Sequence, residues 1–158
     1  MKLTEALAQY CQIRQEVADL RHRIDRDQER LRRIEEEGVV SDTVRGTRRD
    51  GTIGPIKITG YPVPEYMKVK TMIKRRVEKL KIREDDLSEA LAMVDDFIAR
   101  IPKSEIRQIY QMYYLDDMKW FQVANAMNIR YPKKKTPYTA DSCRMKHNRY
   151  LEKENEKT

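Results

Sequence analysis

Cysteine and histidine are nearly missing from the chain, with two of each among 158 residues. Cys11 and Cys143 lie at opposite ends with no metal-ligand spacing. Neither a disulfide framework nor a zinc site is expected, and both thiols read as reduced, as in a cytoplasmic protein. His22 falls on a charged helical stretch and reads as solvated, whereas His147 suits packing or a phosphate contact rather than metal ligation. Glycine is also scarce, and all five glycines lie between Gly38 and Gly60. There is no glycine-rich phosphate loop and no HExxH pair, so neither catalysis nor a cofactor is expected. No run approaches the roughly 18 consecutive apolar residues of a membrane span. The opening MKLTEALAQYCQIRQEV turns polar too early for a signal peptide, which again favours the cytoplasm and no membrane partner.

Charge is abundant and unevenly placed. The net charge is +7, from 33 Lys and Arg against 26 Asp and Glu. Residues 1–37 carry a net of −1, whereas residues 102–158 carry twelve basic against seven acidic side chains. Between Arg130 and Arg149 there are seven basic residues and a single acid, Asp141. A local positive field of this kind favours a polyanionic partner and equally suits a solvated tail that maintains solubility.

Apolar residues recur every seven positions over 3–36, in the rows Leu3, Tyr10, Val17, Ile24, Leu31 and Ala6, Ile13, Leu20, Asp27, Ile34. This is a coiled-coil seam interrupted by Asp27, for which an arginine partner or a locally opened helix is expected. Gly38 suits the helix stop. A second repeat follows from Pro64 to Ile101, with Tyr66, Ile73, Leu80, Leu87, Val94 and Ile101 as its main row and Val69, Val77, Leu91 and Ile98 widening it. Pro64 and Glu65 suit its start, and Pro102 its end. Antiparallel packing of the two helices covers both stripes; a parallel coiled coil between two chains, a homodimer, covers them equally well. The connection 38–64 is long for a helical hairpin, but its alternating runs VVSDTV and PIKITG around Asp50-Gly51 read as a small β-hairpin or compact loop. It serves either as a cap or, through Arg45, Arg48 and Arg49, as a docking element.

The C-terminal part reads as three helices. Residues 103–115 carry an apolar face of Ile106, Ile109, Tyr110, Met112 and Tyr113. Asp116-Asp117 breaks that helix, and Asp117 is expected to cap the next, in which Trp120, Val123, Ala124 and Met127 line up at i, i+3, i+4 and i+7. Asn128 suits a left-handed turn after it. The basic stretch RYPKKKTPY leads to a last helix N-capped by Thr139, with Cys143, Met145 or His147, Tyr150 and Leu151 inward. A bracing helix followed by one that offers polar side chains to a major groove is the layout DNA recognition needs. The expected DNA-binding residues are Arg130, Lys133, Lys134, Lys135, Tyr138, Thr139, Asp141, Ser142, Arg144, Lys146, Asn148 and Arg149, the lysine triplet for phosphates and Arg144 with Asn148 for base edges.

Trp120, Val123-Ala124, Met127, Ser142, Cys143 and Arg144 follow a pattern that resembles region 4 of bacterial sigma factors. The loop VVSDTVRG…GPIKITG resembles a signature of the ArpU/RinA-like phage transcriptional regulators. The resemblance implies a coiled-coil N-terminal part, a sigma-like C-terminal domain on promoter DNA, and a role in phage or prophage late transcription with bacterial RNA polymerase. Ten residues separate Asn128 from Thr139, where sigma region 4 has a short turn, so individual base contacts do not carry over. The chain is therefore expected to be all-α, with a coiled-coil hairpin over 1–101, a hairpin-like loop at 38–64, and a helix-turn-helix domain over 102–158. The competing readings are a small-terminase-like DNA-packaging protein and a helical scaffold that binds no DNA.

Overall fold

The computed structural model describes residues 3–38, 40–60 and 63–157. Among them it is mostly helical: α1 (Leu3–Glu37), β1 (Val40–Thr47), β2 (Ile53–Gly60), α2 (Val63–Ala99), α3 (Ser104–Tyr110), α4 (Trp120–Arg130) and α5 (Ala140–Asn155). A π-helical turn, Gln111–Leu115, continues α3. No helix among the described residues is long and apolar enough to cross a membrane.

The chain divides into two compact units, one of residues 16–84 and one of residues 1–15 with 85–158. This division does not follow the boundary expected at 101/102. Leu7 and Tyr10 of α1 and Val94 and Ile98 of α2 share a buried core with Ile101, Ile106, Tyr110 and Tyr114, so both ends of the expected hairpin belong with the C-terminal helices.

In the unit of residues 16–84, α1 and α2 run antiparallel, as their cross-links show. Glu16 pairs with Arg83 at 3.0 Å, Glu84 with Arg21 at 2.7 Å, and Glu65 with Arg30 at 2.5 Å. Val17, Leu20, Ile24 and Ile34 of α1 and Val69 of α2 are buried. Asp27 finds the expected arginine, Arg76, and both side chains are mostly withdrawn from water. The stripe of α2 is narrower than its sequence pattern: Val77 and Leu91 remain 46% and 40% exposed. A single facing helix covers only a narrow seam, so positions beside the central row stay in water.

The loop between α1 and α2 is a β-hairpin, with β1 and β2 antiparallel from Val40↔Gly60 to Thr47↔Ile53. Gly51, at φ +84°, and Asp50 lie in its tip. Asp50 Oδ1 accepts from the Thr52 N–H at 3.0 Å and from the Thr52 hydroxyl at 2.6 Å, which closes the turn. Pro55 sits in β2 opposite Arg45, tolerated because each strand of a two-stranded ribbon has a free edge. Gly38, at φ +74°, ends α1 as expected.

Three expectations for the C-terminal helices need correction. The segment 103–115 is not one regular α-helix, because it widens into the π turn after Tyr110. Asp117 does not cap α4; the N-cap is Lys119, whose N–H donates to Gln122 Oε1 at 2.8 Å. Asp117 adopts φ +54° and instead accepts from Arg14 at 2.6 Å. Asn128 is not a left-handed turn residue, since α4 continues to Arg130.

Removing one member of a partly buried ion pair strands the other, whereas replacing both with apolar groups does not. Arg76→Ala is expected to lower stability by about 1–2 kcal/mol in urea titration. Asp27→Leu combined with Arg76→Leu should restore at least the wild-type midpoint. Equal losses in both variants would mean that the pair does not set the stability of the seam.

Candidate nucleic-acid interface

Two buried layers hold α5 in place. The first is aromatic. Tyr110 is fully buried, stacks on the His147 ring at 4.6 Å between centroids, and donates its hydroxyl to the His147 carbonyl at 3.0 Å. Tyr114 Oη lies 3.0 Å from His147 Nε2, and His147 Nδ1 lies 2.9 Å from Asn148 Oδ1. One neutral tautomer satisfies both contacts: Nδ1–H donates to Asn148 and Nε2 accepts from Tyr114. The second layer consists of Ile109, Met112, Val123, Ala124, Met127, Tyr138 and Cys143. His147, rather than Met145, is the inward residue, and Met145 is 49% exposed.

The entry to α5 is tightly specified. Thr139 caps it, with Oγ1 accepting from the Ser142 N–H at 3.1 Å and its own N–H donating to Ser142 Oγ at 2.9 Å. Asn128 brackets the preceding residue: its amide donates to the Tyr138 carbonyl at 2.9 Å, and its Oδ1 accepts from the Tyr138 N–H at 2.6 Å. The long linker from α4 therefore ends at a fixed point.

The structure sorts the twelve sequence-derived residues into three groups. Tyr138 is buried, and its hydroxyl donates to Glu105 at 2.6 Å, so it belongs to the core and not to a binding surface. Thr139 and Ser142 have their side chains engaged in the cap. Lys134 and Lys146 point at Glu105, at 3.2 Å and 2.5 Å, and Lys134 also lies over the Tyr138 ring at 3.6 Å. The remaining seven are exposed. Among these, Arg130 donates to Gln108 at 3.2 Å, and Arg144 pairs with Asp141 at 3.0 Å. The Arg144–Asp141 pair is solvent-exposed, so it holds weakly and can be exchanged for another partner. Lys133, Lys135 and Arg149 have no side-chain partner among the described residues.

Glu105 was not legible as a site residue. Burial pushes its carboxyl up, but hydrogen bonds from Lys146, Tyr138 and Lys134 outweigh this and hold it at about 2. All three donors lie 29 to 41 residues away in sequence, so no local pattern announces the cluster. Burial also pushes both thiols, Cys11 and Cys143, above the ordinary cysteine range, and neither is in a disulfide. Among the described residues no cluster of metal-ligating side chains is present.

No family model matches the chain, and neither a curated protein nor a solved structure is similar to it.

Burial lowers the His147 imidazole below the ordinary histidine value, against a smaller opposing effect of its bond to Asn148. The folded chain then binds fewer protons than the unfolded chain. The contribution of this group is complete above the unfolded value of about 6.5 and is lost as the pH falls below it. Melting temperatures measured from pH 7.5 downward should fall across this window in the wild type and fall less in His147→Phe. A slope unchanged by the substitution would remove His147 as its source.

Proposed function

We propose that this chain is a sequence-specific DNA-binding transcription regulator, an activator of phage or prophage late genes that works with bacterial RNA polymerase in the cytoplasm. In this reading α4 and α5 act as a helix-turn-helix on duplex DNA, α1 and α2 form a coiled-coil hairpin that also serves a homodimer, and the chain is no enzyme. The observation that carries the reading is the outward face of α5. With Cys143 and His147 turned inward, Arg144 and Asn148 lie together on an exposed shoulder near the helix start. Arginine and asparagine are the side chains best suited to bidentate contacts with guanine and adenine. Asn148 Oδ1 already accepts from His147, but an amide oxygen has two lone pairs and can accept again. Arg130, Lys133 and Lys135 stand exposed at the approach to α5, where phosphate contacts position a recognition helix. The resemblance to sigma region 4 and to the ArpU/RinA-like regulators supports the link to late transcription.

Binding of full-length protein to its genomic target and to random duplex, each measured over a range of salt, tests the reading. Arg144→Ala is expected to weaken specific binding by about 1–3 kcal/mol and random binding much less. Replacing Lys133 and Lys135 by Ala should weaken both alike and flatten the salt slope by up to about 0.9 for each phosphate left without its cation. Equal losses on both duplexes for Arg144→Ala would reduce Arg144 to a phosphate contact. Absence of duplex binding would favour the scaffold, and a large ring in light scattering would favour the packaging protein.

A further inference from the structure

A second basic surface lies on the other shoulder of α5. A trough of about 570 Å3 opens between the turn joining α2 to α3 and the outer side of α5. Six basic side chains line it: Arg100, Lys103, Lys146, Arg149, Lys153 and Lys157. Its two carboxylates are already matched, Glu105 by Lys146 at 2.5 Å and Glu154 by Lys157 at 2.6 Å. Arg100, Lys103, Arg149 and Lys153 have no carboxylate partner among the described residues. Four uncompensated cations around one depression repel one another, and an anionic ligand removes that repulsion.

The placement of this trough favours a nucleic-acid backbone over an acidic peptide. At 100° per residue, Cys143 and His147 set the inward side of α5. Arg144 and Asn148 fall on one shoulder, and Lys146, Lys153 and Lys157 on the other. An α-helix with its side chains is roughly 10–12 Å across, close to the roughly 12 Å width of a major groove, so its two shoulders meet opposite walls. From Lys146 to Lys157 the helix rises about 16 Å, enough to follow four or five phosphates at about 3.4 Å each along one strand. Glu105 joins this surface to the linker, because its Oε1 accepts from both Lys134 and Lys146.

We propose that this trough is a phosphate-backbone site for duplex DNA, gripping the strand opposite the one nearest Arg144. Arg100, Lys103 and Lys153 are its determinants outside the residues already assigned. The inference rests on the DNA-binding reading and adds a sequence-independent grip to it.

The test uses full-length protein carrying Arg100→Gln, Lys103→Gln and Lys153→Gln together, titrated by fluorescence anisotropy against specific and random duplexes over a salt series. All three positions are exposed, so the melting curve should match wild type. Affinity should fall about tenfold or more on both duplexes alike, and the slope of log K against log salt should flatten by about two to three units, at up to about 0.9 per phosphate. The specificity ratio should stay constant, unlike that of Arg144→Ala. Arg100→Lys with Lys103→Arg and Lys153→Arg keeps the charges and should bind like wild type; a loss as large as that of the Gln variant would overturn the electrostatic site. Wild-type affinity and slope in the Gln variant would overturn the trough and leave the DNA reading standing. Loss of polyglutamate binding with DNA binding intact would also overturn it, in favour of an acidic protein partner. A wild-type chain that binds no duplex would overturn the reading and the inference together.

Discussion

Tyr110 is fully buried, and its hydroxyl must still find an acceptor. The partner is the backbone carbonyl of His147, midway along α5, while the ring stacks on the His147 imidazole and meets Phe97 and Tyr150 edge-on. One side chain thus joins the end of α2, α3 and α5. The neighbouring Tyr114 extends the same layer to α1, because its carbonyl accepts from Tyr10 at 3.2 Å and from Arg14 at 2.7 Å. The azimuth of α5, and with it the side chains it turns outward, follows from this buried aromatic layer. Any surface property of α5 is therefore a property of its core as well.

Electrostatics divides that helix. The inner side is aromatic and apolar, one shoulder carries Arg144 and Asn148, and the other carries a row of lysines. Glu105 is the one carboxylate that draws several cations together, and it does so close to the core, against Tyr138. Its anion replaces solvent as the partner of Lys134 and Lys146. These two lysines consequently differ from Lys133 and Lys135, although the triplet looks uniform in sequence.

The long-period features were legible in the sequence. The seven-residue repeat located Tyr10, Val17, Leu20, Ile24 and Ile34, and the polar break at Asp27 pointed to an arginine, found as Arg76. Alternation around Asp50-Gly51 indicated the hairpin, and Thr139 announced its own cap. Legibility failed where the deciding partner is distant in the chain. Asn128 looks like a turn residue until Tyr138 is placed ten positions on. Tyr138 looks like an exposed aromatic beside lysines until Glu105 accepts its hydroxyl. Asp117 looks like a cap until Arg14, more than a hundred residues earlier, draws it away. The unit boundary failed for the same reason, since Leu7 and Tyr10 join a core made mostly by residues from Val94 onward.

The π-helical turn Gln111–Leu115 has a consequence for how the chain tolerates length changes. Such a turn holds one residue more than an α-helix over the same rise, and it reads as an insertion absorbed without a break. Deleting a single residue from it would let the ordinary ladder close and rotate everything downstream by about 100°. Trp120 would then leave its 4.2 Å stack on Tyr113, and Asp117 would lose its approach to Arg14. The surface of this stretch accepts substitution, but its count of residues is fixed by the faces it must present at both ends.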